Sequence, residues 1–200
     1  MERFELIVIS LPLFFRGEAE CLDALLASGL SKLHIRKPGA SKKELDGLLR
    51  EIRPRWRKQL VLHGGNQPGE VRELANKYEI GQIHCPQKVW NERWGLRLSS
   101  SLHSWEEMAT VDERFAYVFI SPLFNSISKE GYMANESLLQ RPAVPQPCKV
   151  IGLGGIDCDT IREVLRHGWD GAAVMGWIWG EAGKEVQRFE DLQKIIEGYS

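Results

Sequence analysis

The sequence lacks a long hydrophobic segment, and none of its apolar runs reaches the roughly 18 residues typical of a membrane-spanning helix. It also lacks a surplus of either charge, because 26 lysines and arginines are balanced by 27 aspartates and glutamates. Such a balance gives neither the basic surface that binds nucleic acid nor a charged patch for a membrane. We therefore expect a cytoplasmic globular protein that binds neither nucleic acid nor membrane.

Cysteine is scarce, and the four cysteines have no spacing typical of a metal site: Cys21, Cys85, Cys148 and Cys158. We interpret them as free thiols, as expected in the reducing cytoplasm. Linkers and low-complexity segments are missing as well. The chain begins with a hydrophobic stretch that has no small-residue cleavage site, so it predicts a buried strand rather than a signal peptide. One domain spanning residues 1–200 is expected.

Short apolar runs alternate with helical patterns along the whole chain. This alternation is typical of parallel strands joined by helices. Two capping boxes, Ser41 with Glu44 and Ser104 with Glu107, predict the starts of two helices. The strands are predicted at residues 4–10, 32–36, 59–62, 81–84, 96–99, 116–120, 149–153 and 171–175. Eight such units predict an α/β fold of the (β/α)8 TIM-barrel type.

Glycines end the last two predicted strands. Gly154 and Gly155 follow the seventh strand, and Gly176 follows the eighth. Glycine lets backbone N–H groups approach an anion closely, because no Cβ atom intrudes. Turns after strands seven and eight are where TIM barrels bind phosphate. The alternative is that Gly154 and Gly155 only form a tight turn between a strand and a helix.

Polar side chains follow the other strands, at the end of the barrel where TIM-barrel enzymes have their active sites. Four of the five histidines belong to this group, and imidazole suits proton transfer near neutral pH. The group consists of His34, Arg36, His63, His84, Gln87, Ser101, His103, Ser126, Ser128 and Lys129. The alternative for each histidine is a structural role as a hydrogen-bonded packing residue. The alternative for Arg36 is a salt bridge at the barrel mouth. The segment from Ser126 to Lys129 is either a polar loop or a lid over an anion.

These motifs resemble those of the thiamine phosphate synthase/TenI family of barrels. The resemblance runs essentially end to end, and it rests on five segments: LHIRK at 33–37, SLHSWEE at 101–107, YVFISPLFNSISKEG at 117–131, IGLGGI at 151–156 and DGAAVMG at 170–176. It implies a thiazole phosphate as the small-molecule ligand and a homodimer as the assembly. The phosphate of that ligand is expected on Gly154, Gly155, Met175 and Gly176.

The family includes two reactions, which differ in their need for metal. Synthases join a thiazole phosphate to a pyrimidine-methyl pyrophosphate with Mg²⁺, whereas the TenI branch isomerises a thiazole carboxylate phosphate without a metal. Synthases have Mg²⁺-binding carboxylates after the third and fourth strands, where this sequence has His63-Gly64 and His84-Cys85-Pro86-Gln87. Because Mg²⁺ prefers oxygen ligands, we expect no cofactor, or Mg²⁺ only if the chain is a synthase. Pro38 replaces a synthase lysine, for which Lys37 is a candidate substitute.

Three hypotheses follow from the resemblance. The favoured one is a metal-independent thiazole tautomerase with His103 as acid and base. The second is a thiamine phosphate synthase, because the segment from Ser126 to Lys129 resembles the synthase anion-binding loop. The third is a non-catalytic module that binds thiazole phosphate or thiamine phosphate. The substrate-binding residues expected on the resemblance are His34, Arg36, His63, Ser101, Ser126, Ser128 and Lys129.

Overall fold

A computed structural model of the chain describes residues 4–65, 68–89, 95–111, 113–125 and 136–199. Its centre is a closed barrel of eight parallel strands in sequence order, in which the last strand pairs with the first. The strands are β1 (Glu5–Ile9), β2 (Lys32–Ile35), β3 (Leu60–His63), β4 (Gln82–His84), β5 (Arg97–Leu102), β6 (Phe115–Ile120), β7 (Lys149–Leu153) and β8 (Gly171–Val174). The predicted (β/α)8 barrel is therefore confirmed.

Helices connect the strands on the outside of the barrel. They are α1 (Glu18–Ala27), α2 (Lys42–Glu51), α3 (Pro68–Lys77), α4 (Glu136–Leu139), α5 (Ile161–Arg166), α6 (Gly176–Trp179) and α7 (Glu185–Glu197), with 3-10 turns at Pro54–Gln59, Gln87–Val89 and Glu106–Thr110. The capping box of Ser41 and Glu44 forms at the start of α2 as predicted. At the second predicted box, the Glu107 N–H donates to Ser104 Oγ at 3.4 Å, but the segment forms a 3-10 turn.

Strand β5 is longer than its apolar pattern predicts. The pattern indicates residues 96–99, but β5 continues to Leu102 and pairs with β6 as far as Ile120. The extension consists mainly of serines, and Ser99 and Ser100 are buried despite their hydroxyl groups. A search for apolar runs ends the strand early because these hydroxyls interrupt the run.

Apolar side chains pack in two layers separated by the barrel wall. The larger layer lies between the strands and the helices and includes Leu22, Leu49 and Phe189. The smaller layer fills the barrel interior with Ile7, Ile9, Tyr117, Phe119, Ile151 and Ala173. Strand residues alternate between these layers, so every second residue near a strand end points toward the barrel mouth. This alternation positions the polar residues described below.

All four cysteines are free thiols, as predicted. Burial raises the pKa of Cys85 to about 11 and that of Cys21 to about 12, so both are protonated at neutral pH. Within the ranges that the structure describes, no helix has the length and apolar character needed to cross a membrane.

Candidate active site

A cavity of about 750 Å³ opens at the carboxyl ends of strands β2 to β5. TIM-barrel enzymes have their active sites at this end of the barrel. The lining residues are Arg36, Lys37, Pro38, Gly39, Ala40, Leu45, His63, Gly64, Gly65, Glu70, Val71, His84, Pro86, Ser101 and His103. A second cavity, of about 250 Å³, lies at the opposite end beside Phe4 and Lys149, where TIM barrels have residues that serve stability. The larger cavity is therefore the candidate site.

Three histidines from adjacent strands form a cluster at the floor of this cavity. His34 lies on β2, His63 ends β3 and His84 ends β4, and each has a ring nitrogen within 4.8 Å of the others. The rings of His63 and His84 stack with their centroids 4.4 Å apart. His34 lies one layer deeper and is 0% exposed. The prediction that His34 contacts the substrate does not fit this position, because its side chain is fully buried and does not line the cavity.

A hydrogen-bond chain connects the cavity floor to the barrel interior. Tyr117 Oη lies 2.6 Å from His34 Nε2, and His34 Nδ1 lies 2.9 Å from His63 Nε2. Each neutral imidazole has one N–H group and one lone pair, so the chain runs in one of two directions. Either the phenol donates to His34 and His34 donates to His63, or His63 donates to His34 and His34 donates to the phenol oxygen. Reversal therefore moves protons without changing the net charge.

Burial keeps the three imidazoles neutral. It lowers the pKa of His84 to about 3, and the positive charge of Arg36 adds to this effect. Burial and then the neighbouring His84 hold the pKa of His34 and that of His63 well below their usual range. Burial also raises the pKa of Tyr117. At neutral pH the cluster consequently has lone pairs and no positive charge.

Two serines of β5 hold the ring of His84. Ser99 Oγ lies 2.9 Å from His84 Nδ1, and Ser101 Oγ lies 3.0 Å from His84 Nε2. A hydroxyl can donate or accept, so this arrangement allows either tautomer of His84. Ser101 also lines the cavity, where the sequence predicted a substrate-binding residue.

His103 lies at the cavity rim with an exposed side chain. Its Nδ1 atom lies 3.1 Å from the carbonyl oxygen of Ser121, and its backbone N–H donates to the Glu107 carboxylate at 3.2 Å. A carbonyl oxygen only accepts, so Nδ1 carries the proton and Nε2 has the lone pair in the neutral ring. This fixed tautomer suits a general base that faces solvent or a bound ligand.

Arg36 and Lys37 follow β2 but have different surroundings. Arg36 is exposed at the cavity, so its guanidinium is available to an anion. The side chain of Lys37 is 1% exposed, and its ammonium group donates to Glu18 at 2.5 Å and to the carbonyl oxygens of Leu11 and Leu13 at 2.9 Å. The prediction that Lys37 replaces a substrate-binding lysine is therefore wrong, because its donors hold the β1–α1 loop.

The glycine turns predicted to bind phosphate lie after β7 and β8, beside the cavity rather than in its lining. Gly154 and Gly155 have φ angles of 102° and 65°, which glycine adopts without strain. The segment after β6 packs on this turn, where the Phe124 N–H donates to the Gly154 carbonyl at 3.1 Å. Met175 precedes α6 and Gly176 is its first residue. Their role as phosphate ligands stays a prediction.

The donor atoms at the cavity do not suit Mg²⁺. Among the described residues that line it, Glu70 is the only carboxylate, and the clustered donors are imidazole nitrogens. Mg²⁺ takes oxygen ligands in octahedral geometry and binds through carboxylates and substrate phosphates. The described residues therefore do not fit the magnesium site that the family resemblance implies for a synthase.

Three predicted residues lie outside the described residues: Ser126, Ser128 and Lys129. Conversely, sequence reasoning missed Tyr117 and Ser99 as members of the site. Both lie inside strands that the sequence predicts to be buried, and their alternation with apolar neighbours was the available signal. Their side chains are hydrogen-bond partners of the histidine rings, Tyr117 of His34 and Ser99 of His84.

Comparisons with known proteins match this barrel over most of its length. A family model described as thiamine monophosphate synthase matches residues 7–178. The thiamine-phosphate synthase of Pyrococcus furiosus is 26% identical over 192 residues, which cover 91% of this chain and 90% of the relative. That of Pyrococcus abyssi is 25% identical over 205 residues, covering 98% and 96%. The solved thiamine phosphate pyrophosphorylase of Bacteroides thetaiotaomicron is 27% identical with a TM-score of 0.80, covering 97% of this chain and 98% of the other.

Proposed function

Because the chain belongs to the thiamine monophosphate synthase family and is an enzyme of thiamine biosynthesis, we propose that it catalyses the thiamine-phosphate synthase reaction. In this reaction a thiazole nitrogen forms a bond to the methylene carbon of a pyrimidine-methyl pyrophosphate. The bond from that carbon to oxygen breaks, and pyrophosphate leaves with the electron pair. The near end-to-end match to curated relatives of that name carries the proposal and ranks it above the tautomerase.

The thiazole phosphate is proposed to bind at the turns after β7 and β8. Backbone amides of Gly154, Gly155 and Gly176 are the donors, together with the backbone of Met175. The left-handed φ angles of the first two support this role, because glycine adopts them without strain and keeps the backbone N–H groups of the turn accessible.

The pyrophosphate is proposed to bind on the opposite side, over the cavity. Arg36 is the exposed cation of the cavity, and its planar guanidinium pairs with phosphate oxygens in a bidentate manner. Ser101 provides a hydroxyl nearby, and the segment with Ser126, Ser128 and Lys129 provides further donors. These groups stabilise the negative charge that develops on the leaving oxygen. Such electrostatic stabilisation is usually the largest contribution that a protein makes to a transfer of this kind.

Steady-state synthesis of thiamine phosphate tests this proposal. Purified protein is supplied with thiazole phosphate and pyrimidine-methyl pyrophosphate, with and without added divalent ions, and the product is separated by chromatography. We expect turnover that falls about 100-fold in Arg36→Met, a loss typical of removing one charge-stabilising group. Arg55→Met is the matched control, because Arg55 is exposed and precedes β3 at the other end of the barrel. No product, with the Pyrococcus furiosus enzyme active in parallel, would exclude the synthase reaction.

A thiazole tautomerase is the second candidate, and the surroundings of His103 favour it. A 1,3 proton shift needs one base that removes a proton and returns it at another atom, and it needs no metal. His103 has its Nε2 lone pair fixed by the bond from Nδ1 to Ser121 and is exposed at the rim. Conversion of the thiazole carboxylate phosphate to its aromatic tautomer in the absence of the pyrimidine substrate, followed by its change in ultraviolet spectrum, would identify this reaction.

A further inference from the structure

We propose that His34, His63 and His84 form a binding site for one transition-metal ion of the Zn²⁺ type at the floor of the cavity. The site differs from a magnesium site in its donor atoms, which are imidazole nitrogens rather than carboxylate oxygens. It does not depend on the proposed reaction, because metal binding is measured directly.

The spacing of the three imidazoles matches what such an ion requires. Each contributes a ring nitrogen, and these atoms lie within 4.8 Å of one another. Imidazole nitrogens bind Zn²⁺ at about 2.0–2.1 Å, so two nitrogens on one ion lie about 3.4 Å apart. His34 Nδ1 and His63 Nε2 are already 2.9 Å apart. Small rotations of the rings, which come from three adjacent strands, are sufficient to accept the ion.

The tautomers needed for binding are reached from either direction of the hydrogen-bond chain by changing one ring. An ion that takes the Nδ1 lone pair of His34 requires the proton on Nε2, where Tyr117 Oη accepts it at 2.6 Å. His63 then carries its proton on Nδ1 and presents the Nε2 lone pair. No proton leaves the protein, because one of the two rings changes its tautomer and the ion replaces the hydrogen bond between them. Tyr117 therefore orients His34 as hydrogen-bond partners of metal-bound histidines commonly do.

His84 can bind the ion through either of its ring nitrogens. When Nε2 binds the ion, Nδ1–H donates to Ser99 Oγ at 2.9 Å, and when Nδ1 binds, Nε2–H donates to Ser101 Oγ at 3.0 Å. Either ring nitrogen of His84 can therefore bind the ion while the other keeps a serine partner on β5.

The cavity provides an entry path and a free coordination position. His63 is partly exposed, and both His63 and His84 line the cavity of about 750 Å³. Three protein ligands with an open fourth position are typical of zinc sites that bind water or substrate. Nitrogen donors select ions such as Zn²⁺, Ni²⁺ and Cu²⁺ over Mg²⁺. The fourth ligand is therefore expected to be water, or an oxygen of a molecule in the cavity.

Titration of the chelator-treated full chain with Zn²⁺ and Co²⁺ tests the proposal. We expect one equivalent to bind by calorimetry, with a Co²⁺ visible spectrum typical of tetrahedral nitrogen and oxygen ligands. His63→Ala should lower the affinity at least 100-fold, and Tyr117→Phe about 10- to 100-fold. His167→Ala is the control, because His167 lies outside the cluster, with Nδ1 at the Glu163 carbonyl and Nε2 at Gln140. Circular dichroism establishes that each variant folds.

Several results would overturn this inference. Absence of a one-equivalent Zn²⁺ site in the parent protein would do so, as would an unchanged affinity in folded His63→Ala. A thiolate-to-cobalt charge-transfer band would place the ion on a cysteine such as Cys85 rather than on the histidines. Displacement of Co²⁺ by millimolar Mg²⁺ would show that the donors are oxygens.

Discussion

Replacing Gly155 by alanine will lower stability more than the same change at Gly168, although both residues have nearly the same backbone conformation. Their φ angles are 65° and 67°. Alanine in this left-handed region costs about 1–2 kcal/mol at either position. The two positions therefore share the backbone penalty and differ only in the space that surrounds the new methyl group.

That space is occupied at Gly155 and open at Gly168. A Cβ atom at Gly155 would lie 2.5 Å from the carbonyl oxygen of Asn125 and 2.7 Å from Phe124 Cβ, whereas nothing lies within 4 Å at Gly168. Ordinary contacts are about 3.5 Å, so the backbone after β6 must move by about 1 Å. Overpacking of this kind costs about 1–3 kcal/mol. We expect a total loss of about 2–5 kcal/mol for Gly155→Ala and about 1–2 kcal/mol for Gly168→Ala.

Urea denaturation of both variants measures these losses, and calorimetry with thiazole phosphate measures the effect on the turn. Because the proposed phosphate donors include the backbone N–H of Gly155 itself, the forced movement should also weaken thiazole phosphate binding in Gly155→Ala alone. Equal stability of the two variants, within about 0.5 kcal/mol, would refute the steric argument. Unchanged ligand affinity in Gly155→Ala would separate this turn from the phosphate site.

Three further outcomes are expected. Lys37→Met should cost about 3–5 kcal/mol in urea denaturation, because it leaves a buried carboxylate without its partner, while Lys42→Met, which removes an exposed pair, should cost under about 1 kcal/mol. His103→Asn should lower the tautomerase kcat at least about 100-fold while changing thiamine phosphate synthesis little, and equal losses in both assays would assign His103 to binding. Stability of the metal-free protein should fall as pH drops below about 6.5, because unfolded histidines take up protons that the buried rings exclude. For His84, with its pKa lowered to about 3, the loss is about 2 kcal/mol between about pH 7.5 and pH 5, and a flat profile would show that the ring is hydrated.

The barrel itself could be predicted because its signal is repeated in every unit. Short apolar runs predict buried parallel strands. The C-terminal ends of those strands show which residues lie at the active-site end of the barrel, even without side-chain positions. Where strand β5 carries serines, the apolar signal stops and the predicted boundary is three residues too early. The error arises because a barrel interior can accept hydroxyl groups when histidine rings bond to them.

The depth of each site residue could not be predicted in the same way. His34 and His63 both lie near strand ends, but the register pairs His34 with Val61 and His63 with His84. This offset places His34 one layer below the cavity, and no local pattern encodes it. The role of Lys37 depends likewise on Glu18, which lies 19 residues away in the sequence. The two side chains come into contact only when β2 packs beside the first strand and helix. Long-range partners of this kind decide whether a charge serves a ligand or the fold.

The hydrogen-bond chain from Tyr117 through His34 to His63 has a consequence for how such sequences evolve. Loss of Tyr117 leaves a nitrogen of His34 without a partner in the barrel interior, which costs about 1–3 kcal/mol. Loss of His34 removes one hydrogen-bond partner from His63 and one from Tyr117. Replacing one of the three residues alone is unfavourable, because a buried polar group loses its partner. Replacing all three by apolar residues at once is tolerated. These three positions should therefore be inherited as a block, and homologues that retain one of these residues should retain all three.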